Sequence, residues 1–180
     1  GRALKENGRR NQVVLATKLY CLAGLKEIKQ AANNLKLALK GLSGKNKGLI
    51  IPGFTHLQHA QPVSLAGYLG AYQLMLSRDI SRLTNVSESI KITFGAGALA
   101  GTPIEAVNYA INFAGLAVKP VENSLDQVSD RDFVIEIIGV LSILAMHLSR
   151  LAEDLIIWST SEFDFIEIDE SFCTGSSLMP

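Results

Sequence analysis

Apolar residues recur along this chain at intervals of three and four over four blocks, and strict alternation over the length of a strand is scarce. That period belongs to amphipathic helices, so the pattern predicts an all-α fold, a bundle of long helices joined by partly irregular loops. The first block, from about Asn11 to Leu39, sets Leu15, Leu19, Leu22, Leu25, Ile28, Leu35 and Leu39 near one stripe and leaves Lys18, Lys26, Lys29 and Lys36 to solvent. Its end is predicted where Gly41 to Gly48 collects glycines and polar residues. A second helix is predicted just after Pro62, through Leu65, Leu69, Tyr72, Leu76, Ile80 and Leu83, with Arg78, Asp79 and Arg82 on its wetter side. Three glycines and a proline between Gly95 and Pro103 favour a loop or close backbone packing, and a short helix from Ile104 to Phe113 can follow. The longest block starts near Leu125, after Asn123 or Ser124 as cap, and runs to about Trp158 or beyond. Phe133, Ile137, Leu141, Leu144, Leu148, Leu151 and Leu155 form its main row, widened by Val134, Ile138, Ala145 and Ala152. A helix of that span is about 50 Å long. So broad an apolar surface predicts a bundle that continues into other subunits.

Composition narrows the function classes. The chain has 180 residues, 48% hydrophobic and 19% charged, enough for a sizeable core and too apolar for disorder. Its 17 basic and 17 acidic side chains cancel, which disfavours nucleic acid and anionic membranes as partners. Only Cys21 and Cys173 are present, far apart and without metal-ligand spacing, so a reducing, cytoplasmic setting is expected. The charged start leads into no secretory apolar core. The most apolar run, Phe133 to Leu151, contains Glu136, His147 and Arg150, and its helical period suits burial against helices rather than lipid.

Candidate chemistry gathers in two places. Between Pro52 and Pro62, the side chains of Thr55, His56, Gln58, His59 and Gln61 sit on backbone expected to be irregular, beside a helix start, as a substrate platform would. Imidazole is the side chain best suited to proton transfer near neutral pH, although satisfying local backbone groups is the commoner role for a single histidine. Zinc ligation by His56 and His59 lacks a nearby cysteine or carboxylate to complete a ligand set. His147, within a helix near Arg150 and Asp154, reads as structural or solvent-facing. The second place is Thr174-Gly-Ser-Ser-Leu-Met-Pro180, where a glycine precedes two hydroxyls. It suits a loop that closes over a ligand and offers Ser176 Oγ, and it equally suits an ordinary turn.

These pieces occur together and in order, and with them the chain resembles the argininosuccinate lyases of the fumarase/aspartase superfamily. The resemblance runs from about Gly8 to Pro180. It is carried by Pro52-Gly-Phe-Thr-His-Leu-Gln58, Gly95-Ala-Gly-Ala-Leu-Ala-Gly-Thr102, Asn123-Ser-Leu-Asp-Gln-Val-Ser-Asp-Arg-Asp132, His147-Leu-Ser-Arg-Leu-Ala-Glu-Asp-Leu155 and Gly175-Ser-Ser-Leu-Met-Pro180. It implies reversible β-elimination of argininosuccinate, a small-molecule substrate, to arginine and fumarate in arginine biosynthesis, with no metal or organic cofactor. By the same resemblance Ser176 and His56 are catalytic, Thr55 and Asn11 bind substrate, and the assembly is a homotetramer whose sites combine regions of three subunits. Two departures stand out. Gly8-Arg-Arg-Asn-Gln12 lacks the serine and aspartate of the family's Gly-Arg-Ser-Arg-Asn-Asp-Gln, and Ile104-Glu-Ala-Val-Asn108 replaces its Pro-Ile-Asp-Arg. The family pattern continues beyond Met-Pro with Gln-Lys-Lys-Asn-Pro and a supporting glutamate. Residues 1–180 therefore correspond to a central helical-bundle domain without the family's N-terminal domain and C-terminal part, and this chain alone is expected to show little activity. The other readings are a non-catalytic helical scaffold, crystallin-like or degenerate, and another lyase of the superfamily.

Overall fold

The computed structural model describes residues 10–91, 96–101 and 122–175, with side chains from residue 18 onward except that of Leu19. Three long helices carry the architecture. Helix α1, Arg10–Lys45, ends inside the window predicted between Gly41 and Gly48, after passing through Gly41 and Gly44. A glycine inside a helix costs about 1 kcal/mol relative to alanine, but tertiary contacts hold this last stretch. Leu39 is buried, Ser43 Oγ donates to Ala66 O at 3.0 Å, and Asn46 Nδ2 donates back to Leu42 O at 2.9 Å.

The segment expected to be irregular is a β-hairpin, β1 (Ile50–Thr55) paired antiparallel with β2 (Gln58–Ser64). Pro52 faces Pro62 across the ladder, and the register slips between Pro52 and Phe54. Gly53 sits at that slip because a Cβ there would lie 2.6 Å from Gln61 O, closer than any side chain tolerates. Since Pro62 belongs to β2, helix α2, Leu65–Ser89, starts three residues after Pro62 rather than immediately after it, with Ser64 Oγ accepting from Gly67 N.

Helix α2 is the middle layer, packed on α1 along one side and on a later helix along another. Its buried positions are Leu69, Tyr72, Leu76, Asp79, Leu83 and Val86, alternating steps of three and four. Leu22, Leu25, Ala32 and Leu39 of α1 meet this stripe. Two residues expected in water lie inside instead. Lys18 is only 4% exposed, its ammonium donating to Lys91 O at 3.0 Å and standing 5.2 Å over the Phe133 ring. Burial first, then the charge of Arg131, holds that ammonium below the usual lysine range, while Asp130, Asp126 and Asp132 pull the other way. Asp79, assigned above to the wet side, is 0% exposed.

The block predicted as one helix is divided. Asn123 caps a short α3, Ser124–Ser129, its side chain accepting from Leu125 N and Asp126 N. Asp130 then turns its carboxylate onto the amides of Asp132 and Arg131, which hold it below its usual range and interrupt the helix before α4, Asp132–Trp158. The face that α4 buries is rotated from the predicted row. Phe133, Leu144, His147, Leu151 and Trp158 are buried, whereas Leu148 and Leu155 are exposed. Among the described helices, α4 alone is long and apolar enough to cross a bilayer. Its buried His147 and its Asp154 bind α2, which makes it a bundle helix. The loop predicted around Gly95 is a turn over residues 97–100 where described, and the short helix proposed for Ile104 to Phe113 lies outside the described residues.

Polar pins set the antiparallel register of α4 on α2. His147 Nδ1 lies 2.6 Å from Asp79 Oδ2, and Arg82 Nη1 donates to Asp79 Oδ1 at 2.9 Å. Ser89 Oγ donates to Glu136 at one end, while Tyr68 and Tyr72 both donate to Asp154 Oδ2 at the other, at 2.7 and 2.5 Å. Burial, then the bond to Asp154, pushes the Tyr68 hydroxyl up from 10.0 to about 12 and raises that of Tyr72 as well.

Two stability outcomes follow from this packing. Leu83 is 0% exposed, so Leu83→Ala should lower unfolding stability by about 2–5 kcal/mol in urea titrations. The folded chain keeps Tyr68 and Tyr72 protonated where the unfolded chain releases their protons, so stability should fall as pH rises from 10.0 toward about 12. The urea midpoint should decline over that window, less steeply in Tyr72→Phe.

Candidate active site

The hairpin ends in a two-residue turn, with Thr55 paired to Gln58 and His56 and Leu57 between them. Both central residues are left-handed, at φ 53° and 59°. That is the twist a two-residue hairpin needs, and the positions normally go to asparagine and glycine. A histidine and a leucine there each carry roughly 1–2 kcal/mol of strain. Thr55 and His56 are exposed at the tip, ready to meet a ligand. A shallow recess of 320 Å³ opens on the body of the hairpin, short of the tip, lined by Ile51, Gly53, His59 and Gln61 among others.

A run of aromatic rings holds the hairpin against the helices. The Phe54 ring lies 4.8 Å from that of His59, 5.1 Å edge-on from Phe163 and 6.5 Å from Phe165. Phe165 continues to Trp158 at 6.4 Å, and Trp158 to Tyr68 at 5.0 Å. The chain after α4 is bent into place by its own backbone. Phe165 N and Ile166 N both donate to Trp158 O, Asp164 N donates to Thr160 O, and Asp164 takes a left-handed φ of 49°. From there the strand passes a single 3-10 turn at Glu170–Phe172, capped by Asp169, and reaches exposed Gly175.

Thr55 and His56 are thus adjacent on one tip. Ser176 lies outside the described residues. The backbone of Asn11 is in the first turn of α1, and its side chain is not among those described. Because α1 runs antiparallel to α2, with Lys18 beside Lys91 and Ser43 beside Ala66, Asn11 and the hairpin occupy opposite ends of the bundle. They are separated by roughly the length of α2, about 37 Å. One chain therefore does not bring Asn11 and His56 onto one small ligand. His147 is structural, as its helical setting suggested. No three His, Cys, Asp or Glu side chains among the described residues converge as metal ligands, and Cys21 and Cys173 are free thiols. The aromatic brace was missed in the sequence. The only hint was Phe163-Asp-Phe165-Ile166, a short apolar alternation directly after a long helix.

Comparison with known proteins fits this geometry. The lyase family model matches residues 7–180. The argininosuccinate lyases of Legionella pneumophila (strain Lens) and Clostridium perfringens are 47% and 49% identical over 177 and 175 residues, 96% of this chain and 42% and 37% of theirs. The chain thus spans about two-fifths of the length of the curated relatives it matches. Among solved structures, an EDDS lyase in complex with formate superposes with a TM-score of 0.84 at 28% identity, covering 94% of this chain and 35% of that one. A Brucella melitensis fumarate lyase:delta crystallin, at 24% identity and a TM-score of 0.76 over 92% of this chain and 38% of that one, shares the fold. With nearly all its residues inside the family model and its helices laid out as in these solved bundles, the chain belongs to the lyase family, and the two curated relatives compared above are argininosuccinate lyases.

Proposed function

We propose that this chain supplies the central bundle and part of the active site of an argininosuccinate lyase, acting in arginine biosynthesis in the cytoplasm. The observation that carries the reading is the hairpin tip, where a strained, exposed His56 stands beside Thr55. In the reaction a base removes the proton from the carbon next to a substrate carboxylate, and the electron pair left behind spreads into that carboxylate. The carbon–nitrogen bond then breaks, fumarate forms, and the departing guanidinium nitrogen takes a proton from an acid. Ser176 Oγ is the proposed base, and His56 the group that assists at the leaving side. Thr55 and Asn11 hold the substrate. The scheme balances as one proton removed and one delivered, and its chemistry calls for no redox or organic cofactor.

The separation of Asn11 from His56 within one chain supports a site shared between copies, and the outer face of α4 supports how copies meet. Ile135 and Ile138 are 77% and 59% exposed, and Val134, Met146, Leu148 and Ile156 extend this apolar surface. A homotetramer built on these helices is the proposed assembly.

In the protein that carries this chain, His56→Asn and Ser176→Ala should each lower kcat for argininosuccinate cleavage by about 10²- to 10⁴-fold, followed through the ultraviolet absorbance of fumarate. Unchanged turnover in both would sink the lyase reading in favour of a scaffold. Paired substitution of Ile135 and Ile138 by aspartate should shift the sedimentation coefficient toward smaller species, while His56→Asn leaves it where it was.

A further inference from the structure

We propose that Phe163 is a positioning residue for His56, acting through Phe54, a role that rests on the reading of His56 given above. Phe54 lies in β1, two residues before the turn histidine, so a tilt of its ring is carried through Thr55 to the tip. The turn does not hold itself, because both of its central residues are left-handed side-chain-bearing residues that relax readily to other conformations. The ladder is also interrupted partway along the hairpin. Pro52 and Pro62 face each other without amide hydrogens to share, and the register slips before Phe54. Beyond that break only the pairs Phe54–His59 and Thr55–Gln58 continue the ladder, and the ring contacts of Phe54 tie this outer half to the chain after α4. Two of its ring partners, Phe163 and Phe165, belong to the strap after α4 and meet each other edge-on at 5.7 Å. That strap is anchored independently, by hydrogen bonds to Thr160 O and Trp158 O. It is also the segment that runs on to exposed Gly175, so one aromatic contact joins the strand leading into His56 to the chain after α4.

Five forms of the assembled protein test this: the parent, Phe163→Leu, Phe163→Tyr, His56→Asn and the Phe163→Leu/His56→Asn double variant. Phe163→Leu should lower kcat about 10- to 100-fold, the loss that a displacement of about 1 Å produces, with KM little changed. Phe163→Tyr, which keeps the ring and can send its hydroxyl to solvent from a half-buried position, should restore most of that kcat. In the His56→Asn background, Phe163→Leu should add no further loss, because the group it positions is already gone. A full additive loss in the double variant, or a Phe163→Leu enzyme with parental kcat, overturns the positioning role. If His56→Asn itself keeps parental kcat, the active-site reading fails first and this role fails with it. A crippled His56→Asn beside an unaffected Phe163→Leu removes the positioning role alone. Should Phe163→Leu not fold, Phe163→Met, which fills the space without a ring, is read by the same criteria.

Discussion

A fully buried carboxylate sets the terms for this bundle. Asp79 occupies a position of the α2 stripe that would otherwise take a leucine, between Leu76 and Leu83, with no exposure to water. Such a group is tolerated only when donors reach it, and a mismatch would leave it unpaired at a penalty of several kcal/mol. Arg82 supplies one donor from the same helix, and His147 of α4 supplies the other. Leucines alone would accept a one-turn slip between α2 and α4, whereas this pair accepts one alignment. That alignment then places Asp154 beneath Tyr68 and Tyr72, and Trp158 against Tyr68.

The consequence reaches the candidate site through a short path. Trp158 ends α4, its carbonyl folds the following strap back, and the strap's phenylalanines meet Phe54 on the hairpin. Each aromatic contact contributes about 0.5–1.5 kcal/mol beyond its buried area. Together they are comparable to the strain in a turn that forces a histidine and a leucine into left-handed backbone. The rigid helices thus supply the stability that an exposed, strained tip needs in order to present a side chain outward rather than to collapse on itself.

The layout has a second property that suits a shared site. Asn11 and the hairpin lie at opposite ends of antiparallel helices, and α4 turns a broad apolar face outward. Both fit the proposed assembly, in which each chain would contribute one end of its bundle to a different pocket.

Much of this was legible from the order of residues, because helical periodicity is a local property. Steps of three and four announced the three long helices, and Asn123 announced the α3 cap. The stretch between two prolines set Thr55 and His56 apart from the helices, and both are exposed at the hairpin tip. Other features were not legible, and each failure has the same origin. Lys18 and Asp79 look like solvent-facing charges until Lys91 O, the Phe133 ring and His147 arrive from distant parts of the chain to satisfy them. Leu148 and Leu155 look like core until the His147 and Asp154 contacts rotate α4 by a fraction of a turn. The hairpin escaped notice because its prolines and polar side chains carry no alternating apolar pattern. It is held by backbone pairing and by rings more than a hundred residues away. The sequence by itself determined the helices and the chemical character of the tip, since those depend on near neighbours. Which face is buried, which charge goes inside and where His56 stands were decided only in the tertiary structure, since those depend on partners that folding brings together.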